Sequence, residues 1–532
     1  MKRPIRIPTF LRALALSLGL CPMAHALTAD QAFQMAAADD AEQRVQAITQ
    51  AVLTPDAQLS AFLSALANDE VRTANGRAYI VRDDKAIDPV SGSAAQLPPD
   101  AEDVVNSNYL RGVIDMAQAA LALGSDDLAA RRKAAARLAD EPDSARMELI
   151  ARALEKEQDG QTRTLLERAM AASQLSGDDP QQRLQAVGTL AHQKTPETQL
   201  LLNQRLSDEP DPAVRKAIRR ALAEIADSLA WGERLGTIFS GISLGSVLLL
   251  AALGLAITYG LMGVINMAHG ELIMIGAYAT YVTQQVFQRW LPEAAFGWYL
   301  VAAIPVAFLA SALVGAILER GVIRFLYGRP LETLLATFGI SLVLQQSVRS
   351  IFGAQNVGVE NPAWMSGGLA LLPQLTLPWN RICIVIFAFL VLGGVAFMIA
   401  RTRLGLFVRG VTQNRSMASC VGVNTARIDT YAFALGSGIA GLAGCALSQI
   451  GNVGPDLGQN YIVDSFLVVV LGGVGQLAGT VYAALGLGVL SKLLEGWTGA
   501  VLAKIAVLLF IVIFIQKRPQ GIFALKGRSA EA

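Results

Sequence analysis

Leu253-Gly-Leu-Ala-Ile-Thr-Tyr-Gly260-Leu-Met-Gly263-Val-Ile-Asn266-Met-Ala-His269-Gly270-Glu271 is the stretch on which the fold turns. Between Gly236 and Gln288, Glu271 is the one formally charged side chain in otherwise apolar sequence. A bilayer interior penalises ionisable groups, so one kept at membrane depth marks a functional site. Asn266, His269 and Glu271 are therefore candidates for a solute pathway. His269 and Glu271, two residues apart, diverge by roughly 200° around a helix, whereas Met267 and Glu271 share a face. One of the pair is expected to line a passage while the other ties helices together, with proton movement through them an open alternative.

Working outward, apolar runs long enough to cross a bilayer stand near 238 to 259, 262 to 287, 298 to 318, 334 to 352, 381 to 400 and 429 to 450. Shorter Gly-rich runs follow near 462 to 475, 477 to 494 and 499 to 516, where broken or re-entrant helices are expected. Gly436, Gly438, Gly441 and Gly444 suit close packing where no water-driven force holds helices together. Arg320, Arg324 and Arg329 fall in one loop, Arg401, Arg403, Arg409, Arg415 and Arg427 in another, and Lys517, Arg518, Lys526 and Arg528 in the tail. The three are expected on the cytoplasmic side. Nine crossings fit, or seven with a re-entrant pair. Arg215, Lys216, Arg219 and Arg220 before the first span pull the other way, but a long exported domain follows its signal largely regardless of charge.

The charges crowd into the first 235 of 532 residues, so the overall 53% hydrophobic and 16% charged composition averages two regimes. Lys2, Arg3 and Arg6, the apolar run Leu11 to Leu20 and Ala24-His25-Ala26 read as an export signal over 1–26. Arg12 inside the run leaves an uncleaved anchor as the alternative. Cys21 follows Leu20 where a lipoprotein signal needs a small residue, so no lipidation is expected. The formal net charge of +1 argues against nucleic acid as a partner. Cys21, Cys383, Cys420 and Cys445 form no closely spaced ligand pair and none lies between Leu27 and Ala230, so neither a disulfide framework nor a zinc site is expected there.

Residues 27–230 are Ala- and Leu-rich with almost no strand-forming runs. Asp127/Arg131, Asp159/Arg163, Asp179/Arg183 and Asp211/Arg215 each open an amphipathic stretch, and alternate copies lie 52 residues apart. Aspartate caps free N–H groups at the positive end of a helix, and Pro180 and Pro212 fit the first helical position. Such an array resembles HEAT or armadillo repeats, which stack helix pairs around a concave face. The plainer alternative is a common helix opening in an alanine-rich domain. Ala78 to Asp103 breaks the pattern and is expected to be a loop or small extended insertion. His192 has no second histidine nearby and is expected to be an ordinary surface residue.

Asn414, Arg415, Ala418 and Gly422 lie in the Arg-rich loop 401 to 428, in a helix-like stretch from Val411 that stops at Gly422. A short helix ended by glycine suits rigid docking on a separate motor, or equally an amphipathic linker on anionic lipid. Gly472 to Gly479 lacks the Lys-Ser/Thr pair that grips phosphates and magnesium, so no nucleotide site is expected here.

Leu253 to Gly260, Gly263 to Glu271 and Gly276-Ala-Tyr278 resemble the opening signature of the branched-chain amino acid and urea family of ABC permeases. Leu335-Ala-Thr337-Phe-Gly339-Ile-Ser341-Leu, the short helix above and Leu471-Gly472-Gly473-Val-Gly475-Gln-Leu-Ala-Gly479-Thr480 extend the resemblance over roughly 236 to 528. Asn361 to Gly368, Ser448 to Asp464 and Gln516 to Gly527 resemble the urea branch more than the amino acid branch. The long exported extension is similarly typical of the urea branch. The resemblance implies an ATP-driven, alternating-access importer of urea in the inner membrane and no enzyme. It breaks the tie over the short helix, with Asn414, Arg415, Ala418 and Gly422 transmitting closure of the ATPase dimer. It also implies two ATPase subunits that bind the ATP, a second homologous permease and a periplasmic substrate-binding protein as partners. This chain would hold no cofactor.

The fold class expected is all-α, a HEAT/armadillo-like repeat domain (27–230) followed by a polytopic transmembrane bundle (236–516) and a cytoplasmic tail (517–532). Urea is neutral, with four N–H donors and one carbonyl, so its route calls for amide and hydroxyl partners. Asn266, Thr337, Ser341, Gln345, Gln449, Asn452 and Asn460 qualify, and His269, Glu271 and Asp464 join them as ionisable candidates. Asp464 has the further option of capping a half-helix. A zwitterionic amino acid would favour charged partners or half-helix ends. Against any one residue stands the commoner role of small polar side chains as ties between helices. A branched-chain amino acid or short-chain amide importer, a passive urea channel and a membrane-tethered scaffold remain the alternatives.

Overall fold

The computed structural model describes residues 27–523 apart from 39, 54–55, 83–84, 141–146, 264–265 and 373. The expected signal over 1–26, with His25 and Cys21, and the tail from 524 onward lie outside the described residues, as do Asp83 and Asp84. The chain divides into two compact units meeting at Leu229 and Ala230.

The first unit opens with α1 (Ala29–Ala37), α2 (Ala41–Leu53) and α3 (Ala57–Ala67) and continues, after five strands, with α4 (Asn108–Ala122). The strands β1 (Val71–Ala74), β2 (Arg77–Arg82), β3 (Lys85–Ile87), β4 (Ala94–Ala95) and β5 (Glu102–Asp103) form one sheet in the order β4-β3-β2-β1-β5. This corrects the all-α expectation, while 78–103 takes the extended form that stood beside a loop as its alternative. Asn75 and Gly76 adopt positive φ of 52° and 70°, the two-residue turn whose twist matches paired strands. Ala78 and Ile80 then alternate inward and pack, with Val71, on the core of Met35, Phe62 and Ile114.

The rest of the unit is α5 (Leu128–Asp140), α6 (Met147–Lys156), α7 (Gly160–Leu175), α8 (Pro180–Gln193), α9 (Pro196–Asp208) and the first turns of α10 (Pro212–Met262). Asp159 and Asp179 cap α7 and α8, accepting from the N–H groups of Thr162 and Gln181. Asp127 and Asp211 accept from Ala129 and Ala213 at the starts of α5 and α10. Two of the arginines have a longer reach. Arg131 clamps Glu157 through Nε and Nη2 at 2.8 and 3.3 Å, while its Nη1 donates to the carbonyls of Ser125 and Asp126. Arg183 repeats the arrangement on Glu209 at 3.1 and 2.9 Å and on Gly177 and Asp178. The clamps stand 52 residues apart, the same offset as the helix openings.

The second unit begins within α10 and holds α11 (His269–Trp290), α12 (Tyr299–Gly321), α13 (Pro330–Phe352), α14 (Trp379–Arg401), α15 (Arg403–Gln413), α16 (Arg415–Cys420), α17 (Thr425–Ser448), α18 (Leu457–Gly472), α19 (Leu477–Thr498) and α20 (Ala500–Lys517). A hairpin of β6 (Gly368–Leu372) and β7 (Leu375–Pro378) precedes α14. Among the described residues, seven helices are long and apolar enough to cross a membrane, those at Pro212–Gly260, Glu293–Gly321, Pro330–Phe352, Trp379–Arg401, Thr425–Ser448, Leu477–Thr498 and Ala500–Lys517. The shorter α18 has 16 residues, about 24 Å at 1.5 Å per residue. The run expected from 262 starts as a helix only at His269.

Hydrogen bonds define two ends of the bundle. At one, Tyr327 bonds Glu319 and Arg415 bonds Asp429. At the other, Tyr299 bonds the Glu360 carbonyl, Asn380 bonds the Gln449 carbonyl, and Val357 pairs with Val453. The clustered arginines of loops 320–329 and 401–427 belong to the first end. The tryptophans belong to the second: Trp290, Trp298, Trp364 and Trp379 flank its connections, Trp231 adjoins Gly232 beside Gln374, and Trp497 ends α19, whose Val489 lies against Gly241.

Candidate functional site

The site forms where the chain is interrupted between α10 and α11. Gly263 takes φ +63°, and helix resumes at His269, so Asn266 lies in the break and Glu271 in the first turn of α11. Asn266 accepts from the Ala268 N–H at 3.0 Å through Oδ1, and its Nδ2 is buried without a partner among the described residues. Glu271 is 1% exposed; Ser341 Oγ donates to its Oε1 at 2.8 Å, and Oε2 has no partner among the described residues. Tyr278, further along α11, likewise buries a hydroxyl without one.

The opposing wall is α13. Thr333, Thr337, Ser341, Gln345 and Arg349 recur every four residues, so they form one ridge of the helix. The spacing from Thr333 to Arg349 gives the ridge a length of about 24 Å. Thr337 Oγ1 accepts from the Met267 N–H at 3.2 Å and donates to the Thr333 carbonyl at 2.8 Å. Ser341 meets Glu271, Gln345 donates to Asp456, and Arg349 reaches the same Asp456 oxygen at 3.2 Å. The outer faces of α13 are apolar and exposed at Leu335, Phe338, Leu342 and Val343.

Backbone contact holds α11 in place. A Cβ on Gly270 would lie 2.6 Å from the Gly458 carbonyl oxygen, so α11 and α18 meet at a separation only glycine permits. The glycines of α17 act similarly, with Gly436 against Gly254, Gly441 against Gly276 and Gly444 against the Ile273 carbonyl.

Asn266, Glu271, Thr337 and Gln345 thus share the break and the α13 ridge, together with Ser341. His269 points elsewhere. Its Nε2 lies 3.0 Å from the Ala251 carbonyl, which can only accept, so the imidazole donates there and ties α11 to α10. Gln449 is buried at the tryptophan-bearing end, accepting from Tyr299 at 3.2 Å and donating to Ser448 at 3.1 Å. Asp464, on α18, faces Lys504 of α20 at 3.6 Å. Asn452 and Asn460 are exposed. Tyr278, Asp456 and Arg349 join the site without having been expected. The four-residue spacing from Thr337 to Arg349 was a signal that could have found the last.

At the arginine-bearing end the expected single helix from Val411 is two. Asn414 leaves helical geometry at φ −152° and ψ 101°, and its side chain caps α16 through the Met417 N–H at 2.9 Å. Gly422, at φ +88°, ends α16, with the Val423 N–H returning to the Ala418 carbonyl at 3.0 Å. Ala418 is buried, while Met417 and Val421 are exposed. Burial, with the Asp429 and Glu319 carboxylates nearby, pushes the Tyr327 phenol above its ordinary value and keeps it a neutral donor. Among the described residues no group of His, Cys, Asp and Glu could hold a metal ion.

Residues 237–516 match the family model described as branched-chain amino acid transport system, permease component. The high-affinity branched-chain amino acid transport system permease protein LivH of Escherichia coli (strain K12) is 29% identical over 294 residues, covering 54% of this chain and 94% of LivH. The corresponding BraD of Pseudomonas aeruginosa is 27% identical over 291 residues, covering 54% and 94%. A probable branched-chain amino acid transport permease protein LivH of Methanocaldococcus jannaschii is 24% identical over 296 residues, covering 52% and 88%. No solved structure matches.

Proposed function

This chain belongs to the family of branched-chain amino acid transport system permease components, and on that premise we propose that it is the permease subunit of an ABC importer for urea. The observation that carries the reading is the ridge of α13. Where it faces Asn266 and Glu271 it offers hydroxyl and amide groups, and the Asn266 amide and one Glu271 oxygen stand ready for a solute's carbonyl and N–H groups. Arg349, the ridge's one cation, is already held by Asp456. Such a route suits a small neutral amide better than a zwitterion. The urea-like segments Asn361 to Gly368 and Ser448 to Asp464 point the same way. A branched-chain amino acid is the second reading, favoured by what LivH and BraD are named for.

The mature chain crosses the inner membrane an odd number of times, with the arginine-bearing end cytoplasmic and the tryptophan-bearing end outside. Arginine and lysine bias sets that orientation, and tryptophan marks the interface. Residues 1–26 direct export. The helical domain at 27–230 is HEAT/armadillo-like, lies in the periplasm and docks the substrate-binding protein. Two ATPase subunits bind the ATP and engage Asn414, Arg415, Ala418 and Gly422, a second homologous permease completes the passage, and residues 517–532 end in the cytoplasm. This chain holds no cofactor.

In cells with no other urea import system, Asn266→Leu and Ser341→Val abolish growth on low urea while both proteins reach the membrane. Normal growth with both variants would refute the pathway and is the result expected of a bundle that only tethers a scaffold. Urea flux through the chain without ATPase subunits would assign a passive channel instead.

A further inference from the structure

Arg415, the first residue of α16, stays partly exposed while its guanidinium turns back onto the bundle. Its guanidinium bonds Asp429, near the start of α17, and stacks 4.8 Å from the centre of the Tyr327 ring, in the turn between α12 and α13. The Tyr327 hydroxyl donates to Glu319 Oε1 at 3.2 Å in the last turn of α12. Thr430, beside Asp429, donates to Glu319 Oε2 at 2.6 Å. The contacts close a ring through α16, the 322–329 turn, α12 and α17. Thr333 then fastens the turn to α13, donating to the Leu326 carbonyl at 3.1 Å and the Arg329 carbonyl at 2.9 Å.

Stability alone accounts poorly for this ring. Glu319 and Asp429 are 1% and 0% exposed, and among the described residues the cation bonded to either is Arg415, on Asp429. Buried ionic groups are commonly no more stabilising than apolar side chains of similar volume. Hydrogen bonds in a low-dielectric interior are stiff and directional, however, and well suited to passing displacement between helices. Among the described residues Asp429 Oδ1 has no partner, which leaves Arg415 a second oxygen to move to. Coupling between distant sites needs an element with two arrangements, and this pair has the parts of one.

We propose that Glu319, Tyr327, Arg415, Asp429 and Thr430 are the linkage through which movement of α16 reaches α12 and α17 and, by way of the Tyr327 turn, the polar ridge of α13. The proposal rests on α16 being the ATPase-facing helix. Glu319, Tyr327 and Thr430 act as positioning residues, touching neither solute nor ATPase.

The test is made on the whole transporter in liposomes, comparing the parent with Glu319→Gln, Tyr327→Leu and the near-isosteric Thr430→Val. The readouts are urea taken up per ATP hydrolysed and the ratio of solute-stimulated to basal hydrolysis. Glu319→Gln and Tyr327→Leu are expected to lower uptake per ATP at least about tenfold and bring the ratio toward one, with ATPase subunits still copurifying. Thr430→Val falls between them and the parent, and decides the matter if a harsher variant fails to assemble. Variants within twofold of a well-coupled parent would overturn the linkage alone. A parent that binds no ATPase subunits would overturn the assignment of α16, and the linkage with it.

Discussion

Glu271 stands out in sequence because no other charge lies between Gly236 and Gln288, and in space because Ser341 satisfies only one of its oxygens. Stranding the partner of a lost buried hydrogen bond costs about 1–3 kcal/mol, roughly five- to a hundredfold in an equilibrium. Glu271→Ala should therefore cut ATP-dependent uptake about tenfold or more at normal membrane abundance, and Ser341→Ala by less; unchanged uptake in Glu271→Ala would remove the residue from the passage. The divergence of His269 and Glu271 was readable from helix geometry, and the two do face α10 and α13 respectively. Which neighbours Gln449 and Asp464 meet was not readable, because helical periodicity assigns a face without naming the helix opposite. The Asp-x-x-x-Arg spacing similarly marked helix starts but concealed the 26-residue reach from Arg183 to Glu209. That pair is almost fully buried, and Arg183→Ala leaves Glu209 only Arg205, so the first unit should lose about 1–3 kcal/mol, read in its denaturant midpoint. Loss below about 1 kcal/mol would contradict it.

At the scale of elements, the apolar runs were legible as helices because nothing but length and hydropathy was needed. Three details were not. The sheet at 71–103 was missed because alanines mask its alternation, although Asn75-Gly76 was a hairpin signal in plain view. The helix from Val411 splits because Asn414 bonds the backbone more favourably as a cap than within a helix. The run from 262 breaks before His269, freeing Asn266 from helical geometry. Where elements meet through glycine, added bulk has a defined consequence. Gly270→Val would drive α11 from α18, and overpacking of this kind costs about 1–3 kcal/mol or more. The expected result is a lower thermal midpoint of the purified protein together with lost uptake; an unchanged midpoint would mean that the helices part freely.

At the scale of the molecule, two kinds of pH and compartment dependence follow. In the first unit, the Arg131 bonds hold Glu157 below the usual carboxylate range; burial opposes the charge on Glu209, but the Arg183 and Arg205 bonds prevail. Thr162 holds Asp159 down at about 2. A carboxyl depressed on folding adds stability that is present above its unfolded value, about 4.3 for glutamate, and is lost as pH falls through the lower folded value. Acidification from pH 5 to pH 3 should therefore lower the unit's midpoint, and replacing both glutamates with glutamine should flatten that slope while lowering the midpoint throughout. An unflattened slope would place the acid sensitivity elsewhere. Cys420 is exposed on α16, so in intact cells an impermeant thiol reagent should miss it and a permeant one should label it. Labelling from outside would reverse the proposed orientation.

The family was legible from co-linear motifs spread over half the chain, whereas the solute depends on a few hydrogen-bonding groups that spacing alone does not place around a passage. Accumulation of labelled urea in vesicles containing all subunits, with leucine as competitor, tests that point most directly. ATP-dependent urea accumulation that excess leucine leaves unchanged is the expected result. Accumulation of leucine in place of urea, or urea movement indifferent to ATP, would contradict it.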